Sequence, residues 1–478
     1  MYLGLDLGTS GLKGLLIGED QKVLAEAQAP LTVQRPADGW SEQRPADWIT
    51  AAETVMDQLS RQGLENVRGI GLSGHMHGAT LIDARDEVLR PCILWNDTRS
   101  ADEAAELDGD PMFRRISGNI VFPGFTAPKL LWVARHEPQI RDRVAMVLLP
   151  KDYLRLWLTG EHAAEMSDAA GTSWLDTGAR DWSDDLLAAT GLTRSQMPRL
   201  VEGSEVSGQL RNSLAARWGL PTGVPVAGGA GDNAASGIGV GVVRAGDAFV
   251  SLGTSGVLFA ANDGYQPSPD TAVHTFCHAL PGTWHQMGVI LAASDALNWY
   301  AGLVGQGAGD LTAELGPLQA PGKTLFLPYL GGERTPLNDA GIRGAFLGLE
   351  HATDRTAATR AVLEGVAFAL RDCRDALAAT GTRIDRLLAV GGGSRSDYWL
   401  SVIATALGVP VQLPAAGDFG AAYGAARLGM MAATGAGAEI ATAPPIARQI
   451  DPDPGLAAAF DTSFGRYQAA QTAIKGLT

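Results

Sequence analysis

At 478 residues, with 46% hydrophobic and 19% charged residues, the chain has an ordinary globular composition and is too long for one core, so two or three domains are expected. Lys and Arg total 37 against 52 Asp and Glu, a formal net charge of -15, and that field repels nucleic acid and anionic membrane, neither of which is an expected partner. A phosphate site in such a chain has to be local, made from backbone N–H groups, a metal ion and one or two cations.

The first predicted element is a hairpin. Apolar stretches from Tyr2 to Leu5 and from Leu12 to Ile17 flank the string Leu7-Gly8-Thr9-Ser10-Gly11, and apolar runs on either side of a glycine-rich turn read as paired strands. Such a turn offers backbone N–H groups and two hydroxyls with little side-chain bulk, as close approach to phosphate oxygens requires. Taken alone, it reads more simply as a plain hairpin turn. Lys13 sets a cation beside it, and Asp6, at the end of the first strand, could hold magnesium directly or through water. The first residues carry no basic n-region, and no apolar run approaches the roughly 20 residues of a membrane span. A cytoplasmic protein is expected.

Pro45 can open a helix running through Gln58, and a strand from Val67 to Leu72 then leads into Ser73-Gly74-His75-Met76-His77-Gly78. The His75/His77 pair would need a third ligand to hold zinc, and none appears at metal-site spacing. Met76 and His77 at a strand end better suit polar and apolar contacts to a small ligand. Further on, Val224 to Gly231 reads as a strand running into glycines, followed by Asp232-Asn233. Two roles stand open for Asp232. Spacing alone favours a helix cap; the other role is general base for an acceptor hydroxyl. A carboxylate near the reference pKa of about 3.9 is a weak base, yet phosphoryl transfer asks mainly for positioning and late proton acceptance.

Gly239, Gly241 and Gly246 mark a boundary near residues 240–246, and the opening string then recurs as Leu252-Gly253-Thr254-Ser255-Gly256, about half the chain later. Its flanks, Ala248 to Leu252 and Val257 to Ala260, match as well. A repeat of this kind predicts two similar lobes, residues 1–242 and 243–478. Ser251 stands where Asp6 stands in the first copy, which suggests one metal-bearing lobe and one nucleotide-holding lobe. Asp354 can cap a long helix whose Leu363, Val366, Leu370, Cys373 and Leu377 form one apolar stripe. A strand from Leu387 to Val390 then meets Gly391-Gly392-Gly393-Ser394, a strand-to-helix turn that could receive a nucleotide. A last helix-like segment, Ala457 to Ile474, is free to pack on either lobe. Cys92, Cys277 and Cys373 lie far apart and read as buried free thiols.

Asp6-Leu7-Gly8-Thr9-Ser10-Gly11, Met76-His77-Gly78, Trp95-Asn96-Asp97, Gly231-Asp232-Asn233 and Gly391-Gly392-Gly393 together resemble the FGGY carbohydrate kinases. Segment 124–136 fits the family's first signature, and Leu148 to Tyr153, Met166 to Thr172 and Gly332-Glu333-Arg334-Thr335-Pro336 are similar in kind. The likeness runs over nearly the whole chain and thins after about residue 430. It implies an α/β fold of two similar ribonuclease H-like lobes, of the actin and hexokinase type, closing a cleft over sugar and ATP. The implied reaction is transfer from MgATP to the 5-hydroxyl of D-xylulose; other acceptors such as ribulose, a deoxy-sugar or glycerol are the alternatives within the class. An actin-like or chaperone-type ATPase is the alternative outside it.

By position in the family's motifs, Asp232 would be the base and Asp6 the magnesium-associated carboxylate, the two flanking the metal. Met76, His77, Asp232 and Asn233 would contact the sugar. Thr9, Ser10, Gly11, Lys13, Gly253, Thr254, Gly392 and Ser396 would lie along the nucleotide. The partners are then small molecules, with a homodimer left open. Two positions depart from the family pattern: His75 stands where kinases of xylulose carry Gln, which bears on sugar choice, and Ala357-Ala358 replace a polar and an aliphatic residue.

Overall fold

The computed structural model describes every residue except 416, 418, 476 and 478. Its frame is two seven-stranded sheets. The first takes β1 (Tyr2–Leu7), β2 (Gly11–Ile17), β3 (Val23–Pro30), β4 (Gly69–Gly74), β5 (Val206–Gln209), β6 (Pro225–Ala227) and β7 (Ala230–Gly231), in the order β5-β6-β4-β1-β2-β3, with β7 also pairing β4. The second takes β8 (Gly246–Leu252), β9 (Gly256–Asn262), β10 (His274–Cys277), β11 (Trp284–Ile290), β12 (Ile384–Val390), β13 (Val411–Pro414) and β14 (Ile446–Ile450), in the order β10-β11-β9-β8-β12-β13-β14.

The sheets share a plan beyond the repeated string. In each, the glycine hairpin is antiparallel, its second strand pairs antiparallel with a third, and its first strand runs parallel to a strand from later in the chain. That parallel strand carries the next parallel neighbour in turn. Strands β1 and β4 are buried along almost their whole length, as expected of parallel strands covered on both faces.

Helices cover the faces. From α1 (Pro45–Leu59), Trp48, Val55 and Met56 pack under the first sheet. Next come α2 (Thr126–His136), α3 (Pro150–Thr159), α4 (Asp232–Val240) and α5 (Ser294–Val304). The stripe on α6 (Arg355–Ala379) is buried in the second core, and Asp354 caps that helix by accepting from the Ala357 N–H at 2.8 Å. After α7 (Asp397–Leu407), the chain crosses back: α8 (Ala421–Thr434) lies on the first sheet and against α4. Glycine permits that approach, because a Cβ on Gly71 would stand 1.8 Å from the Ala425 carbonyl oxygen, and one on Gly424 would stand 1.8 Å from that of Ala235. The last helix, α9 (Ala457–Ile474), packs on the second lobe, where Phe460, Phe464 and Tyr467 join its core.

An apolar core runs from Met76 and Phe125 through Val240 to Phe249, Phe259 and Met287, so the halves meet over packed side chains. Cys92, Cys277 and Cys373 are buried and free. Among the described residues, no helix is long and apolar enough to cross a membrane.

Candidate active site

Both glycine turns stand at the C-terminal ends of parallel strands. In the first, the Gly8 N–H donates to the Gly11 carbonyl at 2.9 Å and closes the turn. Asp6 lies opposite Lys13 across the hairpin and beside Ser73 on β4. Asp6, Gly8, Ser10, Gly11 and Lys13 line one cavity of about 600 Å³, and Lys13 pairs with Glu26 at 3.1 Å. Thr9 points its functions elsewhere: its hydroxyl oxygen accepts from Trp95 Nε1 at 3.0 Å, and its carbonyl accepts from Gln43 Nε2 at 2.8 Å.

In the second turn, the Gly253 and Thr254 carbonyls accept from the Ser294 and Ala293 N–H groups at 2.9 and 2.8 Å. This turn therefore sits on the start of α5. The loop after β12 lies beside it, since a Cβ on Gly391 would fall 2.9 Å from the Leu252 carbonyl oxygen. Gly392, Gly393, Ser396, Asn298 and Tyr398 line a cavity of about 680 Å³. The hydroxyl of Ser396 caps α7, accepting from the Trp399 N–H at 3.3 Å. Gly253 and Thr254 adjoin this cavity through Ser294 without lining it themselves.

A third cavity, about 290 Å³, joins the halves. Met76, His77, Asp232 and Asn233 line it from the first half, and Ser255, His274 and Arg334 from the second. Those four first-half residues come from the loop after β4 and from the start of α4, far apart in sequence. His75 does not line this cavity; it is buried edge-on against Trp48, with ring centroids 5.8 Å apart, and burial lowers its pKa to about 3.

His77 is held from several sides. Its backbone is left-handed, with φ of 71°, and its ring stacks on Phe125 at 4.5 Å. Nδ1 lies 2.7 Å from the Gly171 carbonyl oxygen. A carbonyl only accepts, so Nδ1 carries the proton and Nε2 is left as an acceptor. Burial lowers the His77 pKa to about 3, and the ring is neutral. The His77 carbonyl accepts from Lys129 Nζ at 2.8 Å, and Lys129 also reaches the Gly124 carbonyl at 2.7 Å.

Asp232 is the first residue of α4, with Gly231 in the cap position. Its Oδ1 accepts from the Asn233 N–H at 2.7 Å and from Asn233 Nδ2 at 3.0 Å. The side chain is partly exposed at the cavity, yet enough protein surrounds it that desolvation, reinforced by the charge of Asp6, raises its pKa to about 6. A carboxylate so tuned is a better proton acceptor than the reference value of about 3.9 allows. Two carboxylates that sense each other also suit a hard divalent cation completed by phosphate and water oxygens.

The loop that presents Asp232 rests on buried charge. The Gly231 N–H donates to Ser167 Oγ at 3.1 Å, and Ser167 Oγ donates to Glu165 at 2.8 Å. Glu165 lies 3.2 Å from Lys151, which also contacts Asp152 at 2.7 Å and Asp168 at 3.0 Å, all fully buried. Arg155 joins Asp152 to the Gly228 carbonyl on the other side of the loop. Burial opposes charge on Lys151, but Asp152, Asp168 and Glu165 outweigh it and raise its pKa.

Sequence reasoning left out several residues of the shared cavity, from both halves. Arg334, Trp95 and Phe125 stood inside motifs without a role attached. His274 and Ser255 gave no separate signal, because only the packing of the halves brings them beside Asp232.

Two sheets of one topology, each ending in a glycine turn beside a cavity, define a two-lobed α/β phosphotransferase fold of the actin and hexokinase type. Residues 1–239 match the N-terminal domain and residues 248–433 the C-terminal domain of the FGGY family of carbohydrate kinases. The chain belongs to this family and is a sugar phosphotransferase with ATP as its other substrate. It is 50% identical over 439 residues to the xylulose kinase of Escherichia coli strain K12, covering 91% of this chain and 90% of that one. Among solved structures, a xyloylose kinase from Brucella ovis superposes with a TM-score of 0.99 at 64% identity, covering 100% of both chains. A xylulose kinase from Rhodospirillum rubrum does so with a TM-score of 0.93 at 32% identity, covering 100% of this chain and 99% of that one.

Proposed function

We propose that the protein transfers the γ-phosphoryl group of ATP to the 5-hydroxyl of D-xylulose, giving D-xylulose 5-phosphate and ADP. The observation that carries this reading is the cavity shared by Asp232, Asn233, Met76 and His77 with second-lobe residues, flanked by the two glycine turns. Asp232 takes the proton of the attacking hydroxyl; its raised pKa suits that task near neutral pH. Asn233 holds one carboxylate oxygen, and His77 Nε2 accepts from a sugar hydroxyl. The N-terminal lobe, residues 1–242, carries sugar and metal. The C-terminal lobe, residues 243–478 apart from α8, carries the nucleotide along Gly253, Thr254, Gly392 and Ser396, with Ser10, Gly11 and Lys13 facing it from the first turn.

Magnesium fits the pair Asp6 and Asp232, whose charges raise one another's cost in its absence; bound there, it would neutralise charge on the phosphates. Closing the lobes excludes water, which otherwise competes with the sugar for ATP. The reaction fits a cytoplasmic setting, where ATP is the donor and the three buried thiols stay reduced. The test is a coupled ADP-release assay over D-xylulose, ribulose, deoxy-sugars and glycerol. Stimulation strongest with D-xylulose supports the reading, whereas strongest stimulation by another acceptor rejects it. ATP consumption independent of every sugar would instead favour a switching ATPase.

A further inference from the structure

Arg334 lines the sugar cavity but takes no part in holding the metal, the nucleotide or the reacting hydroxyl. The acceptor's own chemistry gives it one. In D-xylulose the 5-hydroxyl is the group that closes a furanose ring on the C2 carbonyl, so a molecule phosphorylated at O5 must be held open, with its ketone exposed. A ketone oxygen accepts hydrogen bonds and donates none.

Several polar groups around the cavity are unsuited or already engaged. Asp232 accepts, His77 has spent its N–H on Gly171, and the Trp95 N–H is spent on Thr9. Arg334 offers a fork of N–H donors, and among the described residues its guanidinium has no ion pair or hydrogen-bond acceptor, only the face of Phe122 at 4.7 Å. The adjacent Glu333 attracts that charge without pairing with it: Oε1 accepts from the N–H groups of Leu291 and Arg334 at 3.0 and 2.8 Å, and Oε2 makes no hydrogen bond among the described residues. A largely desolvated cation is normally paired. The guanidinium stands over Phe122, whose ring packs against Phe125 and His274 at 5.5 and 5.3 Å, so it belongs to the aromatic wall of the cavity, whereas Asp232 and the attacking hydroxyl lie at the start of α4.

We propose that Arg334 is a specificity-determining residue that donates to the C2 oxygen of the open-chain ketose. This rests on the D-xylulose reading. The experiment compares wild type and Arg334→Met on two ligands, D-xylulose and 2-deoxy-D-threo-pentitol, which lacks the C2 oxygen and is measured by competition. Loss of a hydrogen bond from a charged donor should raise KM for D-xylulose by about 10- to 100-fold, while KI for the 2-deoxy ligand stays within about threefold. Equal losses on both ligands, as a merely structural role would give, or no loss on either, overturn the proposal. Should Arg334→Met fail to fold, Arg334→Gln is read by the same difference. Wild type that does not turn over D-xylulose rejects the substrate reading, and this proposal with it, before any variant is compared.

Discussion

Asp6 and Asp232 reach the same edge of the first sheet through one strand: Ser73 on β4 pairs with Asp6 on one side and with Ala230, two residues before Asp232, on the other. The charge of Asp6 accordingly contributes to the raised pKa of Asp232. Replacing Asp6 with Asn should lower that pKa from about 6 toward the ordinary range. Carboxyl-carbon NMR titration of Asp232 in the metal-free protein reads this directly. An unmoved titration would mean that the carboxylates do not sense each other.

The same shift predicts a pH-dependent stability. The folded pKa of Asp232 lies above its unfolded value of 3.8, so the folded state binds the proton more tightly. Stability is therefore lost as pH rises from about 4 to about 6, and the loss is complete above that. Asp232→Asn removes the cost, and should raise stability at pH 8 by up to about 3 kcal/mol while changing little near pH 4. Urea midpoints at the two pH values check the sign.

Lys129 is wholly buried and spends its ammonium on two backbone carbonyls, one of them in the left-handed His77. Burial lowers its pKa to about 7, against the opposing pull of Cys92 and Asp97. Lys129→Met leaves both carbonyls short of a donor, a cost of about 1–3 kcal/mol, and loosens the His77 ring. KM for the sugar should rise about tenfold with KM for ATP unchanged. A parallel rise in both would indicate general loosening.

Lys151 is surrounded by Asp152, Glu165 and Asp168 without exposure to water. Lys151→Met leaves Arg155 on Asp152 but takes the ammonium from Glu165 and Asp168, and should cost about 3–5 kcal/mol, measured by urea unfolding. Because Ser167 links this cluster to Gly231, turnover should fall even where the protein remains folded. Normal stability would show that the carboxylates neutralise themselves by binding protons.

Much of this architecture could be read in the chain before any coordinates. The duplicated Gly-Thr-Ser-Gly string marks the two hairpins because a tight turn beside a strand end leaves few residue choices, and the spacing from Leu363 to Leu377 gives the buried helix. The strand predicted over Val67 to Leu72 lies at Gly69–Gly74 instead, since its three glycines lack strand propensity on their own. In Gly69 and Gly71 that lack is explained by α8, which comes close enough to exclude a Cβ. Neither the return of α8 to the first sheet nor the pKa of Asp232 was legible, because each depends on contacts between segments far apart in sequence. His75 looked relevant to sugar choice by its position, but its ring is buried against Trp48, a contact that only the folded helix supplies.

The most direct measurement is the turnover of Asp232→Asn with D-xylulose and MgATP, on protein shown by its unfolding curve to be native. The account predicts a fall in kcat of about 100-fold or more, with ATP still bound. Turnover within a fewfold of wild type would contradict it, and the proton acceptor would then have to be sought elsewhere in the cleft.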